Sequence, residues 1–432
     1  WVKDTNESPE THVSHNVTNF EFLYEPFYVA TDLVPTHDER FMGYGFTRNS
    51  QVYEMYVAGY QFQVLSPIFT IHWGLQQKKT RPAWREQQNN MNRKQFEMFK
   101  KEIILKYSKT NKSTVAPQTP LPSQIPPHSS LDELKVEIPS LNMESEADLA
   151  SVPMDLLNID LSIGRWDNKR MYKIFDFALV GEKFEQLSEK YLVTLATQTS
   201  VERLHFLTQV AKHWTGPISV AVFASGADEF RILQHYITYL RLCYDNIRDN
   251  ISWHLAMPKE RIPNKVKIDS SQSFECDSPE KILKNLLSTR SLETIKWRLK
   301  NVYPQNIMRN LARKGCQTEQ VFLTDVDIIP SVNMTDSLDS FLRSVTTNGR
   351  HVSKIAYVIP TYELDLRVKF PESKPELLRL VKKGLARPFH EKVFIYNQFA
   401  TNFTSLERID SSSSGFRHNL ITTNRSSPFG VS

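Results

Sequence analysis

No run of apolar residues in this 432-residue chain approaches the roughly 18 needed to cross a bilayer, so nothing in it reads as a membrane span. Cysteine is scarce as well. Cys243, Cys276 and Cys316 have no metal-ligand spacing, which leaves three buried thiols or a Cys243–Cys276 disulfide with Cys316 free. An excess of charge of one sign is also lacking. A formal net charge of +5 over this length does not make the concentrated basic face of a nucleic-acid binder. No G-x-G-x-x-G or Walker loop follows any strand-like run, which argues against a Rossmann dehydrogenase and a P-loop NTPase. Nor is there an initiating methionine: the chain opens on Trp1 and reads as a fragment or processed piece, so a missing N-terminal anchor is uninformative.

What remains is ordinary globular composition, 40% hydrophobic and 23% charged. Asn-x-Ser/Thr occurs at Asn6, Asn16, Asn111, Asn250, Asn333, Asn402 and Asn424, a mild excess that points to a secretory route. Residues 113–164 differ from their surroundings. They are Pro/Ser-rich, then acidic with little periodicity, and read as a disordered linker. The tail 410–432 is similarly loose. Residues 165–409 alternate strand and helix patterns: "ISVAVFAS", then a helix through "DEFRILQHYITYLRLCY", then "NISWHLAMP", then a helical "PEKILKNLLSTRSLETIKWRLKNV", then "VFLTDVDII" and "KIAYVIPTYEL". Such alternation implies an α/β domain with a largely parallel sheet and a ligand at the carboxyl ends of its strands. Residues 1–112 add strand-like "EPFYVAT" and "QFQVLSPIFTIHW". They close on an amphipathic helix with Phe96, Phe99, Ile103 and Tyr107 at helical spacing.

In "VFLTDVDIIPS" an apolar run ends in two acids one residue apart, and period-two alternation puts Asp325 and Asp327 on one side of the chain. Two neighbouring carboxylates repel. A hard divalent cation, Mn²⁺ or Mg²⁺, removes the repulsion and can in turn hold a diphosphate. The plain alternative is a strand-end loop with two solvated acids. His72 in "FTIHWGL" is a candidate third ligand, although a lone histidine is more often structural. Asp38 and Glu39 in "THDERFMGYGF" could supply a general base, or form an Arg40-paired surface turn.

Several blocks, among them "LATQTSVERLHFLTQVAKHWTGPISVAVF", "YPQNIMRNLARKG", "VFLTDVDIIPS", "SKPELLRLVKKGLARPFHE", "TNFTSL", "YEPFYVATDLVPTHDERFMGYGFTRNSQVYEMYVAGYQFQVL" and "IHWG", resemble glycosyltransferase family 49. This is the group that holds the β-1,4-glucuronyltransferases and the glucuronyl domain of the bifunctional LARGE enzymes. The blocks span nearly all of residues 1–112 and 166–408, but their order differs: in the family the block ending "TNFTSL" precedes "YEPFYVA". A window on a tandem array or a gene-model artefact would account for this, and so would circular permutation. The resemblance implies a GT-A type α/β domain assembled from the two segments in permuted order.

It also implies transfer of a sugar, glucuronic acid first and N-acetylglucosamine as the alternative, from a UDP-sugar to a glycan or glycoprotein acceptor with inversion. Asp325, Asp327 and His72 would then bind Mn²⁺. Thr197, Gln198, Arg203, Arg309 and Asn310 would face the donor, and Asp38 or Glu39 would be the base. An intradomain salt bridge is the alternative for Arg309. Tyr44 and Trp73 could wall the acceptor sugar or simply pack in the core. Thr47 and Arg48 depart from the family's Asn and Lys, which puts acceptor contacts in doubt. A binding-only protein that keeps the fold without turnover is the competing class. Family members work in the Golgi lumen behind an anchor.

Overall fold

Strand-forming pieces of both segments meet in one sheet. The computed structural model describes residues 10–77, 82–112, 159–263, 276, 278–347 and 354–406. The first segment supplies β1 (His12–Asn16), β2 (Phe27–Thr31), β3 (Gln61–Ser66) and β4 (Thr70–Trp73). The second supplies β5 (Arg165–Trp166), β6 (Tyr172–Leu179), β7 (Val193–Ser200), β8 (Ile218–Phe223), β9 (Ile251–Pro258), β10 (Gln320–Asp325), β11 (Ile328–Pro330), β12 (Ile355–Ile359), β13 (Thr361–Leu364) and β14 (Ala386–Pro388).

Among the described residues ten strands form the main sheet in the order β1-β3-β12-β2-β10-β7-β8-β9-β6-β5. Its centre, β10-β7-β8-β9, is parallel. The near-continuous apolar run "ISVAVF" of β8 is buried throughout, as a strand covered on both faces must be. β2 lies antiparallel between β10 and β12, so a strand from the start of the chain fills the middle of a sheet made by its later part. A second sheet, β11-β4-β13-β14, also mixes the segments. The structure is therefore the expected α/β architecture with both segments in one sheet, but that sheet is mixed rather than largely parallel: β1-β3, β12-β2, β2-β10, β9-β6 and β6-β5 pair antiparallel.

Three runs that read as single elements are each two. "KIAYVIPTYEL" breaks at Pro360, which cannot donate to a ladder, and its halves β12 and β13 join different sheets. The run "QFQVLSPIFTIHW" likewise divides into β3 and β4 around Pro67. The helical stretch from Pro279 splits into Pro279–Leu287 and Leu292–Lys300, because Ser291 starts a new helix by accepting the Thr294 N–H at 3.2 Å. Cys243 and Cys276 form a disulfide, and Cys316 is free. Most of the linker 113–164 and all of the tail 410–432 lie outside the described residues, but Ile159 at the linker's end is already part of the core. Of the described sequons, Asn16, Asn333 and Asn402 are exposed and Asn250 is buried. Among the described residues no helix is long and apolar enough to cross a membrane.

Candidate active site

β10 ends at Asp325, and after one residue of turn Asp327 leads into β11. The pairing of β11 with β4 sets Ile328 opposite His72, which brings the imidazole Nε2 within 3.3 Å of the Asp327 carboxylate. Arg203, from the short helical turn after β7, pairs with Asp327 as well. Burial alone would raise the Asp327 pKa; the His72 contact and the Arg203 charge bring it below the usual carboxylate range. His72 Nδ1 is buried without a partner.

Asp325 points at two guanidinium groups instead. Arg48, just before α1 (Asn49–Val57), donates from Nη2 to Oδ1 at 2.8 Å, and Arg309, on the helix Gln305–Lys314, reaches the same oxygen at 3.3 Å. Arg48 also donates to the Leu323 carbonyl at 3.2 Å and lies 4.4 Å over the Phe27 ring. Arg309 donates to Thr47 Oγ1 and to Asn306 Oδ1, each at 3.1 Å. Against a burial penalty that would push it up, the charges of Arg48 and Arg309 hold the Asp325 carboxyl well below the ordinary value. Arg48 thus seats the first acid of the pair directly, and Thr47 does so only through Arg309. Both arginines are nearly inaccessible.

These groups open onto one cleft of about 730 Å³. Glu25, Tyr44, Phe389 and His390 line it too, together with Arg85, Asn89, Arg93 and Glu97 of α2 (Ala83–Lys112). Glu25 is raised above the usual glutamate value by burial, which outweighs Arg48 and Arg309; its Oε2 accepts from Asn397 Nδ2 at 2.8 Å. Burial, with the His72 charge nearby, lowers His390 to about 4.

Asp325, Asp327, His72, Arg203 and Arg309 therefore line one cleft. Five other candidates do not line this cleft. Thr197 and Gln198 are buried in β7, which runs on to Ser200, and Gln198 accepts from the Tyr303 hydroxyl. Asn310 clamps residues 37–39: it accepts from His37 N, and its Nδ2 donates to the His37 carbonyl at 2.9 Å and to Glu39 Oε1 at 3.0 Å. Asp38 is engaged by Arg40, which bridges it to Glu102. The Arg40-paired turn is what the structure contains, and neither Asp38 nor Glu39 faces the cleft as a base would. Trp73 donates to Gln209 Oε1 at 2.6 Å and packs on Phe370; Tyr44 does line the cleft.

The donor set fits a divalent cation in part. Asp327 and His72 adjoin, and Asp325 keeps Oδ2 clear of both guanidinium groups. Among the described residues, however, no three His, Cys, Asp or Glu side chains are gathered closely enough to hold an ion as they stand.

The model of glycosyltransferase family 49, described as "Glycosyl-transferase for dystroglycan", matches residues 1–108 and 192–429. The chain belongs to glycosyltransferase family 49. Among its family 49 relatives, β-1,4-glucuronyltransferase 1 of Danio rerio is 28% identical over 268 residues, 58% of this chain and 59% of that protein. Xylosyl- and glucuronyltransferase LARGE2s of Gallus gallus is 27% identical over 212 residues, 49% of this chain and 22% of that protein. For xylosyl- and glucuronyltransferase LARGE1 of Homo sapiens the figures are 27% over 222 residues, 51% and 23%. The chain thus spans under two thirds of the first of these relatives and under a quarter of the LARGE proteins.

Proposed function

We propose that this cleft transfers a sugar, glucuronic acid, from a UDP-sugar to a hydroxyl of a glycan acceptor, in a Golgi-lumenal setting that suits the disulfide and the exposed sequons. One observation carries the reading: in a family 49 chain, the paired acids, a histidine and arginines from both segments share a single cleft. Asp327 and His72 would hold Mn²⁺ or Mg²⁺ with Asp325 Oδ2. Such an ion, when bound, neutralises charge on the departing diphosphate. Arg203 is half exposed and its charge can turn from Asp327 to a phosphate oxygen.

Glu25 replaces Asp38 and Glu39 as the candidate base, because it lines the cleft and burial makes it a stronger proton acceptor. In a single displacement the acceptor oxygen bonds to the anomeric carbon. The bond from that carbon to the diphosphate oxygen breaks with its electron pair leaving on UDP, and the acceptor's proton passes to Glu25.

The test is calorimetric titration of UDP with and without Mn²⁺ on the full chain and on Asp327→Asn. Metal-dependent binding that falls at least tenfold in the variant is expected; equal binding by both proteins would refute the metal-diphosphate reading. Competition between UDP-glucuronate and UDP-N-acetylglucosamine decides the donor.

A second reading also has an observation behind it. Arg48, Arg309 and Arg203 already neutralise both acids, so the cleft could bind a nucleotide sugar without turnover. Tight UDP binding with neither transfer nor hydrolysis would favour it.

A further inference from the structure

Glu363 is a carboxylate with no access to solvent, and it stands behind the cleft rather than in its lining. In the second sheet it lies directly opposite His72 on β4 and Arg387 on β14. Residues opposite one another share a face of a sheet, so the three side chains form one row. Arg387 meets the charge, donating from Nε to Oε2 at 2.8 Å. The other partners of Glu363 are backbone. Oε2 accepts the Gln76 N–H at 3.0 Å, and Oε1 accepts the His390 N–H at 2.9 Å. Arg387 also donates to the Gln76 carbonyl. One buried acid thus ties the loop after β4, from the first segment, to the loop after β14, from the second. Burying such an ion pair gains a fold little. What this one does is hold two cleft-lining loops in register.

One of those loops carries a strained residue. His390 has φ 61° and ψ 12°, the left-handed region that residues with a side chain seldom adopt. Both of its peptide groups are fixed: the N–H by Glu363, and the carbonyl by the Val393 and Phe394 N–H groups at 3.0 and 2.8 Å. The result is an imidazole set into the cleft wall. It stacks at 3.8 Å on Phe389, whose ring lies 5.3 Å from that of His72, and it is close enough to Asp325 and Asp327 to feel both charges. Yet its Nδ1 is buried without a partner. A strained residue with an unpaired buried nitrogen, beside the paired acids, is a place for a ligand atom.

We propose that His390 donates a hydrogen bond to the diphosphate of the nucleotide donor, and that Glu363 is the positioning residue that aims it. This deepens the transferase reading and rests on it. Phosphate oxygens only accept, and an imidazole N–H donates. The acids would hold the ion and the ion the diphosphate, so of the donor's parts the diphosphate comes nearest to His390. The probes are UDP and UMP, which differ by one phosphate. Each is titrated calorimetrically, in saturating Mn²⁺, into the full chain and its variants.

His390→Ala should cut the preference for UDP over UMP about tenfold, with UMP affinity as in the wild type. His390→Asn keeps an N–H donor on a residue that tolerates the left-handed region, and should recover part of the preference. Glu363→Gln with Arg387→Met removes the buried pair without leaving a charge unpaired. It should lower the preference by a similar factor, and adding His390→Ala should lower it no further. A preference that survives in His390→Ala, or a loss shared equally by UDP and UMP, overturns the contact. A further loss on adding His390→Ala to the Glu363 variant overturns the positioning role. If His390→Ala needs more Mn²⁺ for half-maximal UDP binding, His390 is a ligand of the ion, which also overturns the contact. Failure of the wild type to bind UDP at all would strike the transferase reading, a separate result from lost diphosphate preference with UMP binding intact.

Discussion

Asp325 faces two nearly inaccessible guanidinium groups, so replacing it tests two things at once. Asp325→Asn removes the charge that compensates Arg48 and Arg309, and uncompensated buried charge costs about 3–5 kcal/mol. The variant should melt well below the wild type in a thermal scan, whatever it does to ligands. Adding Arg48→Met should recover part of the loss, whereas additive losses in the double variant would show that the two side chains do not interact. Asp327→Asn leaves only the more exposed Arg203 and the His72 ring, and is the cleaner probe of binding. A pH prediction belongs at this scale too. Burial lowers His213, beside Lys212, and His254 to about 4. In the unfolded chain each takes its proton near the ordinary value of about 6.5, while the folded chain resists until about 4. Stability is therefore full above that window and falls as pH drops through it, and melting temperatures measured from pH 7.5 to 4.5 should decline. A flat profile would contradict the burial of these rings.

Patterns within an element reveal sides better than depth. Alternation puts Asp325 and Asp327 on one side, and both do reach the cleft, although the strand ends between them. The family resemblance, not alternation, set Thr197 and Gln198 facing the donor, whereas β7 continues to Ser200 and keeps them inside. Helix periodicity found the buried face of α2 through Phe96, Phe99 and Ile103. It did not find the cleft-facing stripe of Arg85, Asn89 and Arg93, which looks like any solvated helix face until the Tyr44 turn is docked beside it. Glu25 and Arg48 carry no local signal at all; their roles arise from partners such as Asn397 and Asp325, hundreds of residues away. Asn92 is the element-scale test. It is buried and tied to three carbonyls of the Tyr44 turn, so Asn92→Ala should cost about 1–3 kcal/mol by denaturant titration. A loss under a few tenths would mean that the turn holds its place without α2.

At the scale of the molecule, the expectation that both segments share one domain is met by strand pairing. β2 is wedged between β10 and β12, and β4 lies between β11 and β13. The alternation of strands and helices made the later segment's sheet legible. That the two segments would assemble one domain followed from the family resemblance, and that the first segment would supply a strand in the middle of the sheet did not, because pairing across the chain leaves no mark on local sequence. A chain carrying an engineered protease site between residues 113 and 158, once cut, should elute as one particle with both fragments and an unchanged melting temperature. Separation of the fragments under native conditions would show that the shared sheet does not hold them.

The same wedged strand sets a timetable. Thr31 must find Gln320, roughly 290 residues downstream. At ribosomal speeds of about 5–20 residues per second, the first segment waits roughly 15–60 s before its neighbours in the sheet exist. During that interval β2 lacks both of its sheet neighbours, and Phe27, Val29 and Leu65 wait for the later segment's core residues to cover them. Production of this protein should therefore respond to whatever shelters nascent chains, and should suffer first, as aggregate, when that shelter is short.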